Sequence, residues 1–339
     1  MPETADIGRL HSAQPVPLKR SSEVQHGAQN RWSASTIAPH PAQRGGMAKS
    51  TICFIGAAIC IGQLSRRNDG GTSRVMTTTP PVIFDRDARR LRRDRLARQG
   101  PSPLEAGIAD ELIERLEAVK RTCGTALVIN TGTGVLASAL TQRGIAVSET
   151  DHGTVFAATS SGILCDEDRL DVTPRRYDLV IMPGGLDTVD DVPGALIAAR
   201  RALCDGGLFL ACLMGSPSLP VLREAVAAAD ALEDRSIARI HPQIDVRAAG
   251  DLLVRTGFAL PVADAETLKL SYPSLDRLVE DVRHAGLTNV LVHRRTVSRR
   301  WRDAARVAFQ TKESDNGQII ETVTLLVLTG WAAEPAPGI

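Results

Sequence analysis

No two cysteines of this chain stand in a C-x-x-C pair, and no histidine sits at zinc-ligand spacing from one. The six thiols, Cys53, Cys60, Cys123, Cys165, Cys204 and Cys212, are scattered. That excludes a zinc knuckle and leaves reduced, buried thiols of a cytoplasmic protein as the expectation. A surplus of charge is missing as well. Forty basic against 39 acidic residues leave a net +1, so no global field draws the chain to nucleic acid or a membrane surface. No apolar run is long enough for an integral membrane span. The best, TICFIGAAICIGQL at 51–64, is short and runs into Ser65-Arg66-Arg67 rather than a signal-peptidase site.

What is present is an ordinary globular composition, 43% hydrophobic and 23% charged over 339 residues, enough for one large domain or two small ones. Residues 1–75 carry scattered Gln, Ser, Pro, His and Arg without a period and are expected to be disordered or an extension, with Met76 as a candidate start. A charged segment and helix at 76–124, a main domain at 125–332 and a tail at 333–339 follow. In the charged segment, FDRDARRLRRDRLARQ interleaves Asp85, Asp87 and Asp94 with arginines. A solvated helix with i,i+4 ion pairs is the preferred reading, and a basic patch for an acidic partner the alternative. Pro101 to Lys120 reads as an amphipathic helix, with Leu104, Ile108, Leu112, Ile113 and Leu116 on one side.

Strands and helices then alternate. Ala126 to Ile129 form a first apolar strand, AVSET (146–150) a second, SGILCD (161–166) a third, YDLVIM (177–182) a fourth and GLFLACLM (207–214) a fifth. Helices fall at 135–143 and 190–203, the pattern of a doubly wound parallel sheet. Later come helix 246–257, strand 266–272, helices 274–286 and 298–309, and a long apolar strand at 318–332 that would suit an antiparallel edge. Between the first strand and its helix runs Asn130-Thr131-Gly132-Thr133-Gly134. Glycines there allow unusual dihedrals and let a ligand lie against the backbone. Asn130 stands where the first glycine is expected; asparagine tolerates positive φ, while its side chain is expected to occupy space on the ligand's approach.

The turn at 126–140 resembles the cofactor-binding turn of S-adenosylmethionine-dependent methyltransferases. IFDRDARRLRRDRLARQ, YDLVIMPGGLDTVDDVPGALIAARRALCDGGLFL, HPQIDVRAAGDLLVRTGF, ETLKLSYPSLDRLVEDVRHAG and the closing LTGW extend the resemblance from 82 to about 332. Together they are similar to bacterial relatives of the mitochondrial complex I assembly factor 5, an arginine hydroxylase, and to the malonyl-carrier-protein methyltransferases of biotin synthesis. The resemblance implies a doubly wound, mostly parallel seven-stranded sheet with a helical insertion before the last strand. It also implies S-adenosylmethionine as cofactor, and either a protein or small-molecule methyl acceptor or a respiratory complex I subunit as partner. Val128 replaces an acidic residue of strand one, and Asp187-Thr188 stand where many relatives carry His-Trp.

In such a sheet the ligand lies outside the carboxyl ends of the strands. Asn130, Gly132 and Gly134 end the first strand. Glu149, about 19 residues after Asn130, ends the second at the distance for an acid that takes both ribose hydroxyls, with Asp151 as the competing candidate. Asp166 ends the third, where it could accept from the adenine amino group, and Asp168 is a weaker alternative. The Pro183 to Thr188 loop would line the substrate and methionine side. His241 and Tyr272 are read as packing groups rather than catalysts, and Gly206-Gly207 as a tight turn. No catalytic triad is needed, because methyl transfer from a sulfonium rests on in-line approach and desolvation.

Overall fold

The computed structural model describes residues 81–333 except 98, 161 and 234–236. The expectations for residues 1–75 lie outside the described residues, as does nearly all of the tail. Two helices open the described chain: α1 (Arg86–Leu96) and α2 (Pro103–Val119). Asp85 caps α1 by accepting from the Ala88 amide at 3.0 Å, and Ser102, followed by Pro103, caps α2 by accepting from the Glu105 amide at 3.1 Å.

The alternating region follows as β1 (Thr125–Ile129), α3 (Val135–Gln142), β2 (Ala146–Asp151), α4 (Thr154–Thr159), β3 (Ile163–Leu164), β4 (Tyr177–Met182), α5 (Val192–Ala202) and β5 (Leu203–Gly215). Then come α6 (Pro220–Ala231), α7 (Val246–Arg255), β6 (Ala259–Tyr272), α8 (Leu275–His284), α9 (Arg299–Gln310) and β7 (Ile319–Trp331). The seven strands form one sheet in the order β3-β2-β1-β4-β5-β7-β6, parallel from β3 to β5, with β7 antiparallel to both of its neighbours. This is the doubly wound sheet expected, with α8 and α9 inserted before the last strand.

Alternate residues of each strand feed opposite faces. Ala126, Val128, Leu179, Ile181, Leu208 and Leu210 join the apolar layer of α2, α3, α6, α8 and α9. Leu127, Ile129, Val180, Met182 and Phe209 join that of α5 and α7.

Two strand expectations are corrected. The last strand is not an edge: β7 lies between β5 and β6, and β6 is the edge. All β7 residues from Val323 to Gly330 are buried, as a strand covered on both faces requires, whereas β6 up to Ser271 runs through exposed and half-buried residues. The third strand shrinks from six residues to Ile163–Leu164, because Asp166, Glu167 and Asp168 turn away to meet arginines of α1. The structure adds two helices not placed from the sequence, α6 at 220–231 and the short α4 at 154–159. No helix of the described residues is long and apolar enough to cross a membrane.

Candidate functional site

The sheet reverses its direction of building between β1 and β4, so their carboxyl ends part and leave a crevice. Asn130 leaves β1 on one side of it, and Pro183, Gly184 and Gly185 leave β4 on the other. Asn130, Gly132 and Gly134 have φ of 65°, 65° and 78°, the left-handed values for which glycine and asparagine suit the turn. Every amide of the turn is already engaged. Those of Asn130 and Thr131 donate to the Thr150 carbonyl at 2.8 and 3.1 Å, that of Gly132 to Asp151 Oδ2 at 3.0 Å, that of Thr133 to Glu105 Oε1 at 2.7 Å, and that of Gly134 to the Thr131 carbonyl at 3.3 Å. A Cβ at Gly132 would collide with Glu105 Oε1 and meet Arg93 Nη2 at 3.0 Å.

The Asn130 side chain reaches the β4 loop, with Nδ2 only 2.8 Å from where a Cβ of Gly185 would stand, and its buried Oδ1 has no hydrogen-bond partner among the described residues. Gly185, at φ 92°, is thus required both by its dihedral and by this close approach.

The acids at the strand ends divide into two kinds. Glu149 is half-buried and accepts only from the Thr131 hydroxyl. Asp151, fully buried, accepts from Arg93 Nη2 at 2.9 Å, from Arg93 Nε, and from the amides of Gly132 and Gly153. Asp166 is buried and holds Arg86 at 2.9 Å and Arg90 at 3.0 Å, while Asp168 takes Arg86 in a two-pronged bond. Glu167, 1% exposed, holds Arg89 through bonds of 2.9 and 3.0 Å. Burial alone would raise the Glu167 carboxyl; the Arg89 guanidinium and His152 outweigh it and hold it well below the ordinary carboxylate range.

The preferred expectation for the arginine-rich segment is therefore corrected. Arg86, Arg89, Arg90 and Arg93 are not mainly partners within their own helix; they reach from α1 to acids that end β2 and follow β3. Sequence reasoning missed this because acid and base lie 58 to 82 residues apart in the chain. The usable signal was the run Asp166-Glu167-Asp168 itself, an acidic triplet in need of cations.

Two adjoining cavities of about 110 and 70 Å³ fill the crevice, sharing Arg93, Leu96, Asn130, Gly185, Asp187 and Leu287 in their walls. Drug-sized ligands usually occupy ~300 Å³ or more, so each of these cavities is small beside a site for such a ligand. The larger cavity reaches Thr131, Glu105 and Cys212. Asp187 makes no ion pair among the described residues, and burial raises its carboxyl above the ordinary range although backbone amides and Arg89 pull the other way. Burial pushes the Cys212 thiol up to about 12, which removes it as a nucleophile at neutral pH.

The packing roles expected of His241 and Tyr272 agree with their surroundings. His241 Nε2 accepts from the Val290 amide at 3.0 Å, its ring meets Phe84 edge-on at 5.5 Å, and burial beside Arg92 brings it down to about 4. Tyr272 is buried in the core and raised to about 12, chiefly by that burial. No group of acids, cysteines and histidines that could hold a metal ion occurs among the described residues.

No protein-family model matches the chain. It is 27% identical over 287 residues to the human mitochondrial arginine-hydroxylase NDUFAF5, covering 79% of this chain and 83% of that protein. It is 32% identical over 174 residues to the malonyl-[acyl-carrier protein] O-methyltransferase of Xylella fastidiosa (strain M23), covering 51% of this chain and 57% of that one. Among solved structures, the 1,6-didemethyltoxoflavin-N1-methyltransferase of Burkholderia thailandensis superposes with a TM-score of 0.39 at 14% identity, over 69% of this chain and 80% of its own. The [4+2]-cyclase SpnF does so with a TM-score of 0.42 at 14% identity, over 68% and 82%. The chain is thus similar to the NDUFAF5 arginine hydroxylases over most of its length and to the malonyl-[acyl-carrier protein] O-methyltransferase over about half of it.

Proposed function

We propose that this protein is an S-adenosylmethionine-dependent methyltransferase that binds its cofactor across the ends of β1, β2 and β4. The observation that carries the reading is the state of the turn: its five amides are all committed inside the protein, so it offers no cradle for a pyrophosphate. What the crevice offers instead are acceptors. Among the described residues Asn130 Oδ1 has no hydrogen-bond partner and Asp187 forms no ion pair, and Glu149, at the end of β2 and outside the walls of both cavities, carries a single hydroxyl contact. A nicotinamide dinucleotide needs free amides; a cationic sulfonium with an ammonium group and a ribose diol needs acceptors. The residues present fit that cofactor, with Glu149 as the ribose acid and Asn130 toward the ammonium. Gly132 and Gly134 provide the turn, and Asp166 becomes the adenine partner once Arg86 and Arg90 release it. When bound, the cofactor supplies an electrophilic methyl group.

A second reading is favoured by one observation, the engagement of Asp151 and Asp166 by α1. In it the protein is an assembly factor, related to the arginine hydroxylases, that acts by binding a respiratory complex I subunit and has no methyl transfer. Either role is assigned to the cytoplasm. Calorimetric titration of S-adenosylmethionine into the full chain separates the two. Binding that weakens at least tenfold in Glu149→Ala, with unchanged thermal stability, supports the first. Absence of binding in the unaltered protein supports the second.

A further inference from the structure

Of the six arginines of α1, four meet an acid across the site, while Arg92 and the exposed Arg95 pair with none among the described residues. Arg92 lines the smaller cavity beside Arg89 and Arg93, forms no ion pair among the described residues, and has a buried Nε without a partner. Its neighbours make matters worse. Burial lowers its guanidinium, and so do Arg294, Arg95 and Arg283, which converge on it from the loop after α8, from α1 and from α8. The acid within reach, Asp85, is committed to Arg294 at 2.7 Å and to the Ala88 amide at 3.0 Å.

Arg92 is half-buried and stands as the unpaired fork of a cluster of like charges, the arrangement that takes a planar or tetrahedral oxyanion through two parallel bonds. The cavity of about 70 Å³ has room for such a group and not for a nucleoside. It lies beyond the wall formed by Arg93, Asn130 and Asp187, and neither Glu105 nor Thr131, which mark the turn, borders it.

We propose that Arg92 and the cavity beside it bind a carboxylate or phosphate group, and that this group belongs to the methyl acceptor. The second clause rests on the methyltransferase reading; the first does not. The acceptor is then an anionic compound or an acidic side chain, held by its charge on the Arg92 side of the crevice.

The test uses the full chain and inorganic phosphate, titrated calorimetrically at constant ionic strength set with chloride, so that screening of the arginines does not change. Phosphate is expected to bind the unaltered protein, at least tenfold more weakly to Arg92→Gln, and within about threefold of normal to Arg92→Lys, by loss and restoration of the charged donor. Arg299→Gln, an exposed arginine of α9, should leave binding unchanged. No phosphate binding, or equal binding by Arg92→Gln, overturns the site. If Arg92→Gln does not fold, failure of Arg92→Lys to retain binding does the same. Saturating S-adenosylhomocysteine then identifies the source. An unchanged phosphate affinity assigns the anion to the acceptor, whereas displacement assigns it to the cofactor's own carboxylate and overturns the second clause. If S-adenosylhomocysteine does not bind at all, the methyltransferase reading and that clause fail together while Arg92-dependent phosphate binding still upholds the site.

Discussion

The Arg89–Glu167 pair offers the sharpest test of how α1 is held on the body of the protein. Both side chains are almost wholly buried, at 4% and 1% exposure, and two bonds of 2.9 and 3.0 Å join them. Arg89 Nε also donates to the Thr188 hydroxyl at 3.1 Å, and His152 Nδ1 stands 3.4 Å from Glu167. Arg89→Met leaves a buried carboxylate without its guanidinium partner, a change that costs about 3–5 kcal/mol in comparable pairs, a large part of a domain's total stability. Arg89→Met with Glu167→Met removes the stranded charge and should recover most of that loss, since an apolar pair of similar volume is often neutral. Urea unfolding of the full chain followed by tryptophan fluorescence measures both. The pH dependence carries a fixed sign. The folded Glu167 carboxyl lies below its unfolded value, so its stabilisation is complete above the ordinary carboxylate range and is lost as the pH falls through and below it. Between pH 5 and 3 the double variant should therefore lose less stability than the unaltered protein. A cost below about 1 kcal/mol for Arg89→Met, or simple additivity of the two substitutions, would refute the claim that this pair clamps α1.

Two further outcomes follow from the site. At φ 65°, Asn130→Gly relieves backbone strain but adds unfolded-state entropy, so stability should move by no more than about 1 kcal/mol. The side chain points at the β4 loop and brings an unpaired Oδ1, so calorimetry should show weaker S-adenosylmethionine binding by the glycine variant, and tighter binding would sink the role given to that oxygen. His241 titrates near 4 when folded and near 6.5 when unfolded, so the unfolded chain takes up the proton first and stability falls as the pH drops from 6.5 toward 4. His241→Gln should flatten that part of the curve, and an unchanged slope in urea unfolding would show that another group is responsible.

The periodicities and turn residues of the chain by themselves determined its elements and fold class. Apolar runs bounded by turns placed β1, β2 and β4 within a residue or so, and helices expected at 101–120, 246–257, 274–286 and 298–309 fall on α2, α7, α8 and α9, because periodic signals act over a few turns of backbone. The turn at 130–134 and the acids at 149, 151 and 166 were legible for the same reason: strand ends follow from strand lengths. Only the tertiary structure decided how those acids are used. Glu149 and Asp151 differ by one pleat period in the sequence, yet Asp151 is closed under Arg93 while Glu149 remains half-buried with one hydroxyl contact. It also decided that β7 pairs inside the sheet, that four arginines of α1 cross to the strand ends, and that Arg92 beside them finds no acid among the described residues. Such pairings join residues many tens of positions apart, and which charge meets which is set by the docking of α1 against the sheet, a property of the folded whole that no local window of sequence contains.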